Sequence, residues 1–291
     1  MSMNRPISAG LIVRDKFSTG PLAAAALADE LPQGSELVLV DPGYPEELLE
    51  KIESVATGRG LNLRRVPSAL SDSTNRSWNL FVEASSRPTL LAVENDVTLQ
   101  PGGIHRLLAA LDCGEFDIVV PVIYENNAAT IHFDPPISRI EELPDGTRRS
   151  GLVRRPKPGY SRVAEVRRIS HLEKHCFAMA RRTADLLGPI DENMHCRTDI
   201  DLSLLCHVVG VRIGIVPEAG AVLHTALAVD VDEAAFRARW DLDAARRANA
   251  RLVAKWNLVD YQSSVPFVLE MEERLRAHRG RKPLAEDRDG R

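Results

Sequence analysis

Leu90-Leu91-Ala92-Val93-Glu94-Asn95-Asp96-Val97 is an apolar run that ends in two carboxylates separated by one residue. A short apolar run of this kind reads as a buried strand of a parallel sheet. In an open parallel sheet, ligands gather just beyond the carboxyl ends of the strands, so the acidic pair stands where a ligand would be met. Hard oxygen ligands there suit Mg2+ or Mn2+ bridging a diphosphate, an arrangement to which a protein contributes only one or two carboxylates. Asp96 is the better ligand candidate of the two. Taken alone, the pair is also explained as a polar strand end that faces water or caps the next turn, so its meaning depends on the residues that accompany it.

Around this run, short apolar segments alternate with amphipathic ones, the signature of βαβ units. Strands are expected at 7–13, 36–40, 61–66, 89–93 and 117–122. Thr19 is placed to cap a helix that enters through Pro21 and follows an Ala-rich stretch to Leu31. A helix over 73–85 carries Trp78, Phe81, Val82 and Ser85 on one face, and another after Pro101 carries Leu107, Leu108 and Leu111. These units predict an α/β fold with a parallel, doubly wound sheet.

From 125 to about 158, Asn126, Asn127, Pro135, Pro136, Pro144, Asp145, Gly146, Pro156 and Pro158 crowd out periodicity, and a long loop is expected. Its basic cluster, Arg148, Arg149, Arg154, Arg155 and Lys157, suits phosphates or an anionic acceptor, or else a solvated segment. Strands follow at 163–169 and 173–180, then a helix at 199–209 burying Leu202, Leu205, Cys206 and Val209, then two short strands at 211–216 and 219–224. The sequence reads as helical from 232 to about 258, with Trp240 and Trp256 pinning it to the body, and again over 265–278. The charged tail, 279–291, reads as disordered.

With 44% hydrophobic and 27% charged residues in 291, the composition is that of an ordinary globular protein. A net charge of -4 and a pI near 6.1 give no whole-chain attraction to nucleic acid or an anionic membrane. No apolar run approaches the roughly 20 residues that cross a bilayer, and the N-terminus lacks a signal pattern, so a cytoplasmic protein is expected. Cys113, Cys176, Cys196 and Cys206 are widely spaced and read as free thiols.

Downstream of the acidic pair come Leu187-Gly188-Pro189-Ile190-Asp191-Glu192, Thr198-Asp199-Ile200-Asp201-Leu202, Val216-Pro217-Glu218-Ala219 and Leu223-His224. In that order the set resembles the family 2 glycosyltransferases of the GT-A fold, in the nucleotide-diphospho-sugar transferase superfamily. Their members run from an acidic strand end through GxxDE, EDxDL and PEAxxxH. The resemblance covers roughly residues 7–224. It implies a Rossmann-like, mostly parallel central sheet flanked by helices over 1–228, divided into a nucleotide-binding half (1–97) and an acceptor half (98–228). A C-terminal helical extension (229–278) lies outside it.

Carried over position by position, the resemblance implies that Asp96 binds the metal, that Glu94 sits near the donor ribose or the metal, and that His224 completes the metal site. Asp199 matches the general base, which a helix N-terminus would keep ionised; otherwise it is a capping residue with Asp201 complementing the helix dipole. Asp201 ranks second as base. Thr198 departs from the Glu usual before this Asp. Asp41 matches the acid set against the donor nucleoside, or else serves the Asp41-Pro42-Gly43 turn. Asn79 is retained from a donor-side motif whose Arg and Gly are missing, and has a helix-positioning or donor-pocket role. Arg14 reaches a phosphate or stands solvated.

The implied activity is metal-dependent, inverting transfer of a sugar from a nucleotide-diphosphate donor, UDP-sugar favoured, with Mn2+ or Mg2+, to a small-molecule, glycan or peptide acceptor. Two other classes stay open. A sugar-phosphate nucleotidyltransferase wants a Gly-rich loop after the first strand, where Arg14 to Ser18 supply no glycine before Gly20. A catalytically silent nucleotide-sugar-binding module would suit Thr198. No nucleic acid or membrane span is expected, and the C-terminal helices offer a surface for a homodimer.

Overall fold

In the computed structural model, which describes residues 5–126, 130–132, 138–151, 165–226 and 229–278, the first four apolar runs form adjacent parallel strands. They are β1 (Ser8–Ile12), β2 (Glu36–Asp41), β3 (Asn62–Pro67) and β4 (Thr89–Glu94), in the order β3-β2-β1-β4. The helices α1 (Gly20–Glu30), α2 (Glu46–Gly58) and α3 (Thr74–Ala84) connect them. Then follow β5 (Val97–Leu99), α4 (Gly103–Asp112), β6 (Ile118–Glu125), β7 (Thr130–Ile131), β8 (Arg139–Glu142), β9 (Arg148–Gly151) and β10 (Arg167–Ile169). After β11 (Cys176–Ala180), α5 (Arg181–Leu187) and α6 (Thr198–Val209), the long strand β12 (Ile213–Leu223) closes the sheet. The C-terminal part comprises α7 (Val229–Arg239), α8 (Leu242–Trp256), β13 (Leu258–Tyr261) and α9 (Val265–His278).

The full order is β10-β12-β6-β11-β4-β1-β2-β3, with β12 parallel to β6 and β11 antiparallel to both of its neighbours. Strands β1, β2 and β4 are buried throughout, as their unbroken apolar runs require when helices cover both sheet faces. One face packs Ala23, Leu27, Ile52 and Leu107 from α1, α2 and α4; the other packs Trp78, Phe81, Ala184 and Leu202 from α3, α5 and α6. A third cluster joins Ile200 and Leu204 of α6 to Phe236, Trp240, Leu252, Trp256 and Met271, which binds α7 to α9 against α6.

Several local expectations change. The two strands expected at 211–216 and 219–224 are one, β12 (Ile213–Leu223), because Pro217-Glu218 is taken up in a bulge where the β6 register shifts between Val216 and Ala221. Within 125–158, the expected loop contains β7, β8 and β9; Pro144-Asp145-Gly146 is the turn of the β8–β9 hairpin, with Gly146 at φ 79°. Arg148 and Arg149 of the basic cluster lie in β9, whereas Arg154, Arg155 and Lys157 fall outside the described residues. The 173–180 strand begins only at Cys176. The 232–258 helix is two helices, broken at Trp240-Asp241 because the Asp241 carboxylate caps α8 by accepting from the Ala244 N–H at 2.6 Å. The 279–291 tail lies outside the described residues.

Gly10 shows how closely the sheet and helices approach: a Cβ there would come within 2.6 Å of the fully buried Phe81 ring of α3. Gly10→Ala is therefore expected to destabilise the protein by about 1–3 kcal/mol, read as a lower urea midpoint at unchanged slope. An unchanged midpoint would contradict this packing.

Candidate active site

The site is built where the carboxyl ends of β1 and β4 meet. Asn95, between the two acids, is fully buried and organises the loop after β1. Its Oδ1 accepts from the Arg14 N–H at 3.2 Å, and its Nδ2 donates to the Lys16 carbonyl at 2.5 Å and the Tyr44 hydroxyl at 2.8 Å. The same loop is gripped from α7, where the buried Asp232 carboxylate accepts from the N–H groups of Phe17 and Ser18, both at 2.8 Å. The Trp240 indole donates to Asp15 Oδ2 at 3.1 Å.

Held this way, the loop turns two cations onto Asp96. Asp96 Oδ2 receives Lys16 Nζ at 3.1 Å and Arg14 Nη1 at 3.3 Å, and Lys16 Nζ also donates to the His224 carbonyl at 2.7 Å. Burial opposes the Asp96 charge, but Lys16 and Arg14 outweigh it and hold the carboxyl well below the usual carboxylate range. Glu94 goes the other way: burial raises it, against the pull of His175 and Arg14. Because β12 pairs antiparallel with β5, His224 lies opposite Asp96 and its N–H donates to the Asp96 carbonyl at 2.8 Å. The His224 ring meets Thr98 Oγ1 at 2.9 Å through Nε2.

Antiparallel pairing of β11 with β4 brings residues 173–175 to the same end of the sheet, and the Glu94 N–H donates to the His175 carbonyl at 2.8 Å. His175 Nδ1 meets Glu173 Oε1 at 2.5 Å, and its Nε2 lies 3.7 Å from Glu94 Oε2. Burial disfavours the imidazolium, yet Glu173 and Glu94 raise its pKa above the ordinary histidine value. Lys174 is buried beside Thr74 and Asn75, and burial pushes its ammonium down to about 7.

Opposite this wall stands the N-terminus of α6. Arg197 precedes it at φ 56°, an uncommon conformation for a side-chain-bearing residue, and donates to the Ser263 carbonyl at 2.7 Å. Asp199, in the first turn, faces a cavity of about 310 Å³ shared with Glu94, Lys174 and His175. Asp201 points elsewhere: its Oδ1 accepts from Lys255 Nζ at 2.7 Å and Trp256 Nε1 at 2.6 Å, tying α6 to α8.

The C-terminal helices supply the remaining wall through Arg239, Trp240 and Phe267. The guanidinium carbons of Arg14 and Arg239 lie 5.5 Å and 4.9 Å from the Trp240 ring centroid. Both arginines also line a second, narrow slot with Pro42, Ser77, Ala235 and Ala238, so they stand where slot and cavity meet.

No family model matches the sequence, and no curated protein matches it. Solved structures do match. The crystal structure of GalNAc-T7 with UDP, GalNAc and Mn2+ superposes at TM-score 0.59 and 15% identity, over 77% of this chain and 44% of that one. S. aureus TarS superposes at TM-score 0.56 and 11% identity, over 93% of this chain and 43% of that one. The chain has the GT-A fold. TarS 1–349 in complex with UDP-GlcNAc gives TM-score 0.57 and 14% identity, over 93% of this chain and 71% of that one. This GT-A chain thus spans less than half the length of the GalNAc-T7 and longer TarS chains.

Within the GT-A fold, Glu94, Asp96 and His224 come together at one end of the sheet, and Asp199 shares a cavity with Glu94. Asp41 ends β2, next to Pro42 of the slot; its Oδ1 accepts from the N–H groups of Gly43 and Tyr44 at 2.8 and 2.7 Å, and its Oδ2 from Arg65 at 2.5 Å. Asn79 lines neither cavity nor slot. Its amide donates to the Ile190 carbonyl and Glu192 Oε1, both at 2.9 Å, and so fixes the loop ahead of α6.

The donor atoms fit a divalent cation: Asp96 Oδ1 and Glu94 Oε2 are buried carboxylate oxygens without a hydrogen-bond partner, Glu94 Oε2 standing 3.4 Å from Arg14 Nε. Sequence reasoning missed Lys16, Lys174, His175 and the site role of Arg239 and Trp240. The charged trio Glu173-Lys174-His175, set against the apolar Cys176–Ala180 strand, was a readable signal, since it mirrors Glu94-Asn95-Asp96 at the end of β4.

Proposed function

We propose that this protein is a family 2 type glycosyltransferase that moves a sugar, with inversion, from a UDP-sugar to an acceptor hydroxyl or amine. The observation that carries the reading is the shared cavity, which sets the acidic end of β4 against Asp199 at the start of α6, with Arg14 and Arg239 at its junction with the slot. The donor choice is supported by the GalNAc-T7 and TarS 1–349 structures, whose ligands are UDP with GalNAc and UDP-GlcNAc.

In this reading the nucleoside lies in the slot and the diphosphate crosses the junction, where Arg14 and Arg239 donate to its oxygens. The slot holds only about 20 Å³ as it stands, so its walls, which include Pro42, Ser77, Ala235 and Ala238, must part for a nucleoside to enter. Asp41 acts by holding the turn that presents Pro42, and Asn79 by holding residues 190–192. The sugar occupies the cavity. Asp199 takes the acceptor proton while the acceptor atom attacks the anomeric carbon from the side opposite the diphosphate. A divalent cation, Mn2+ or Mg2+, held by Asp96 and His224 would supply Lewis-acid stabilisation of the departing diphosphate.

A nucleotidyltransferase needs a loop after β1 free to wrap phosphates, and this one is folded inward onto Asn95, Asp96 and Asp232. Calorimetry with UDP, GDP and dTDP in Mn2+ tests the proposal. UDP is expected to bind, and Arg239→Ala to weaken it by about tenfold or more, as loss of a charged hydrogen bond requires. Absence of binding by all three nucleotides would refute the donor class, and unchanged affinity in Arg239→Ala would remove that residue from the diphosphate path.

A further inference from the structure

Lys174 is a buried cation to which the transfer chemistry gives no task. It is 6% exposed, and its ammonium donates to two neutral oxygens, Asn75 Oδ1 and, at 3.5 Å, Thr74 Oγ1. A lysine is almost never buried unless an anion accompanies it. Lys16, also buried, follows that rule, 3.1 Å from Asp96 Oδ2 and 3.3 Å from Asp15 Oδ1. Among the described carboxylates, none forms such a pair with Lys174. We propose that Lys174 reads a carboxylate on the donor sugar, so that the preferred donor is a UDP-hexuronate; the inference rests on the donor path proposed above.

Position assigns Lys174 to the sugar. Arg14 and Arg239 line both slot and cavity, where the diphosphate crosses, whereas Lys174 lines the cavity and not the slot. Its partners put it on the donor side, since Thr74 lines the slot and Asn75 follows it in α3. Asn75 is fully buried and donates to the Asp191 carbonyl at 2.9 Å, so the ammonium is fixed before a ligand arrives. With two of its three N–H groups directed at Asn75 and Thr74, the third is left for a ligand in the cavity.

Charge decides the chemistry of that ligand. A hydroxyl of a neutral hexose accepts the hydrogen bond without offsetting the ammonium, and a buried charge stays costly unless it is both paired and hydrogen-bonded. A carboxylate supplies both. The acids that line the cavity are committed elsewhere: Glu94 faces Arg14 at 3.4 Å, Glu173 meets His175, and Glu270 accepts from Arg274 at 2.7 Å. Asp199, in the proposed mechanism, stays free to take the acceptor proton. The counter-charge for Lys174 is therefore left to the substrate.

The test is calorimetry of the full chain with Mn2+ against UDP, UDP-glucose, UDP-galactose, UDP-glucuronate and UDP-galacturonate. At least one uronate is expected to bind about 10- to 100-fold tighter than the neutral hexose of the same configuration, the range for a hydrogen bond between charged groups. Lys174→Met should erase that preference and leave the affinity for UDP as in the parent chain. Lys174→Gln, which keeps a donor for Asn75, gives the same comparison if the Met variant fails to fold. UDP bound, with uronates and neutral hexoses equal in the parent chain, would overturn the role of Lys174 and leave the transferase reading standing. No binding of UDP itself would overturn both. Equal weakening of UDP and of every UDP-sugar in Lys174→Met would also overturn the inference, since it places Lys174 on the diphosphate.

Discussion

Asp199→Asn is expected to bind UDP with Mn2+ as the parent chain does and to lose sugar transfer by about 10²- to 10⁴-fold. Asparagine keeps the size of the side chain and can still accept a hydrogen bond near the α6 N-terminus, so the cavity keeps its shape. What it cannot do is take a proton. If Asp199 were only a capping residue, the substitution would lower the melting temperature and leave turnover unchanged. Asp201 provides the contrast two residues along: it is 1% exposed and bound by Lys255 and Trp256. Asp201→Asn is expected to show the opposite pattern, a lower melting temperature with unchanged UDP binding. Transfer at the parent rate by Asp199→Asn would remove Asp199 as the base.

Asp96→Ala is expected to abolish Mn2+-dependent UDP binding and to destabilise the fold by about 3–5 kcal/mol, the range for removing one member of a buried ion pair. Asp96 is fully buried, and its loss leaves Lys16 and Arg14 facing each other with their shared anion gone. The charge state supplies a second readout. The folded carboxyl is held below its unfolded value, so its contribution to stability is present above the unfolded pKa and is lost as pH falls through the folded one. The acid loss should therefore be smaller in Asp96→Ala than in the parent chain, the remainder coming from other carboxylates held low, such as Glu36, Asp117 and Asp191. Urea unfolding across acidic pH and calorimetry with UDP and Mn2+ measure the two effects; unchanged nucleotide affinity would count against the metal assignment.

Much of the N-terminal half was readable in the sequence because its information is local. The apolar runs ending at Asp41 and Glu94 appear as β2 and β4, and the helix face with Trp78 and Phe81 is buried as expected. The two acids of the Asp199-Ile200-Asp201 segment could be told apart only by what surrounds the helix. Two residues of helix turn one toward the cavity and the other toward α8.

What stayed hidden depended on strand direction and long-range return of the chain. Lys174 and His175 reach the site because β11 runs antiparallel to β4, which an apolar run alone does not reveal. Trp240 reads in the sequence as a residue that pins a helix to the domain, while nothing singles out Arg239, and Trp240 does sit in that packing cluster. Their place beside Arg14 follows from the chain returning over the ends of β1 and β4 more than 200 residues later, as the bond between Asp15 and Trp240 at |i−j| = 225 shows. The β8–β9 hairpin was legible in principle, since Pro-Asp-Gly both breaks a helix and turns a hairpin.

A crystal structure of this chain soaked with UDP and Mn2+, with anomalous scattering used to locate the manganese, tests the central claim most directly. The account predicts the uracil in the slot beside Pro42, the diphosphate between Arg14 and Arg239, and manganese against Asp96. Nucleotide bound away from that junction, or manganese on residues other than those at the end of β4, would contradict it.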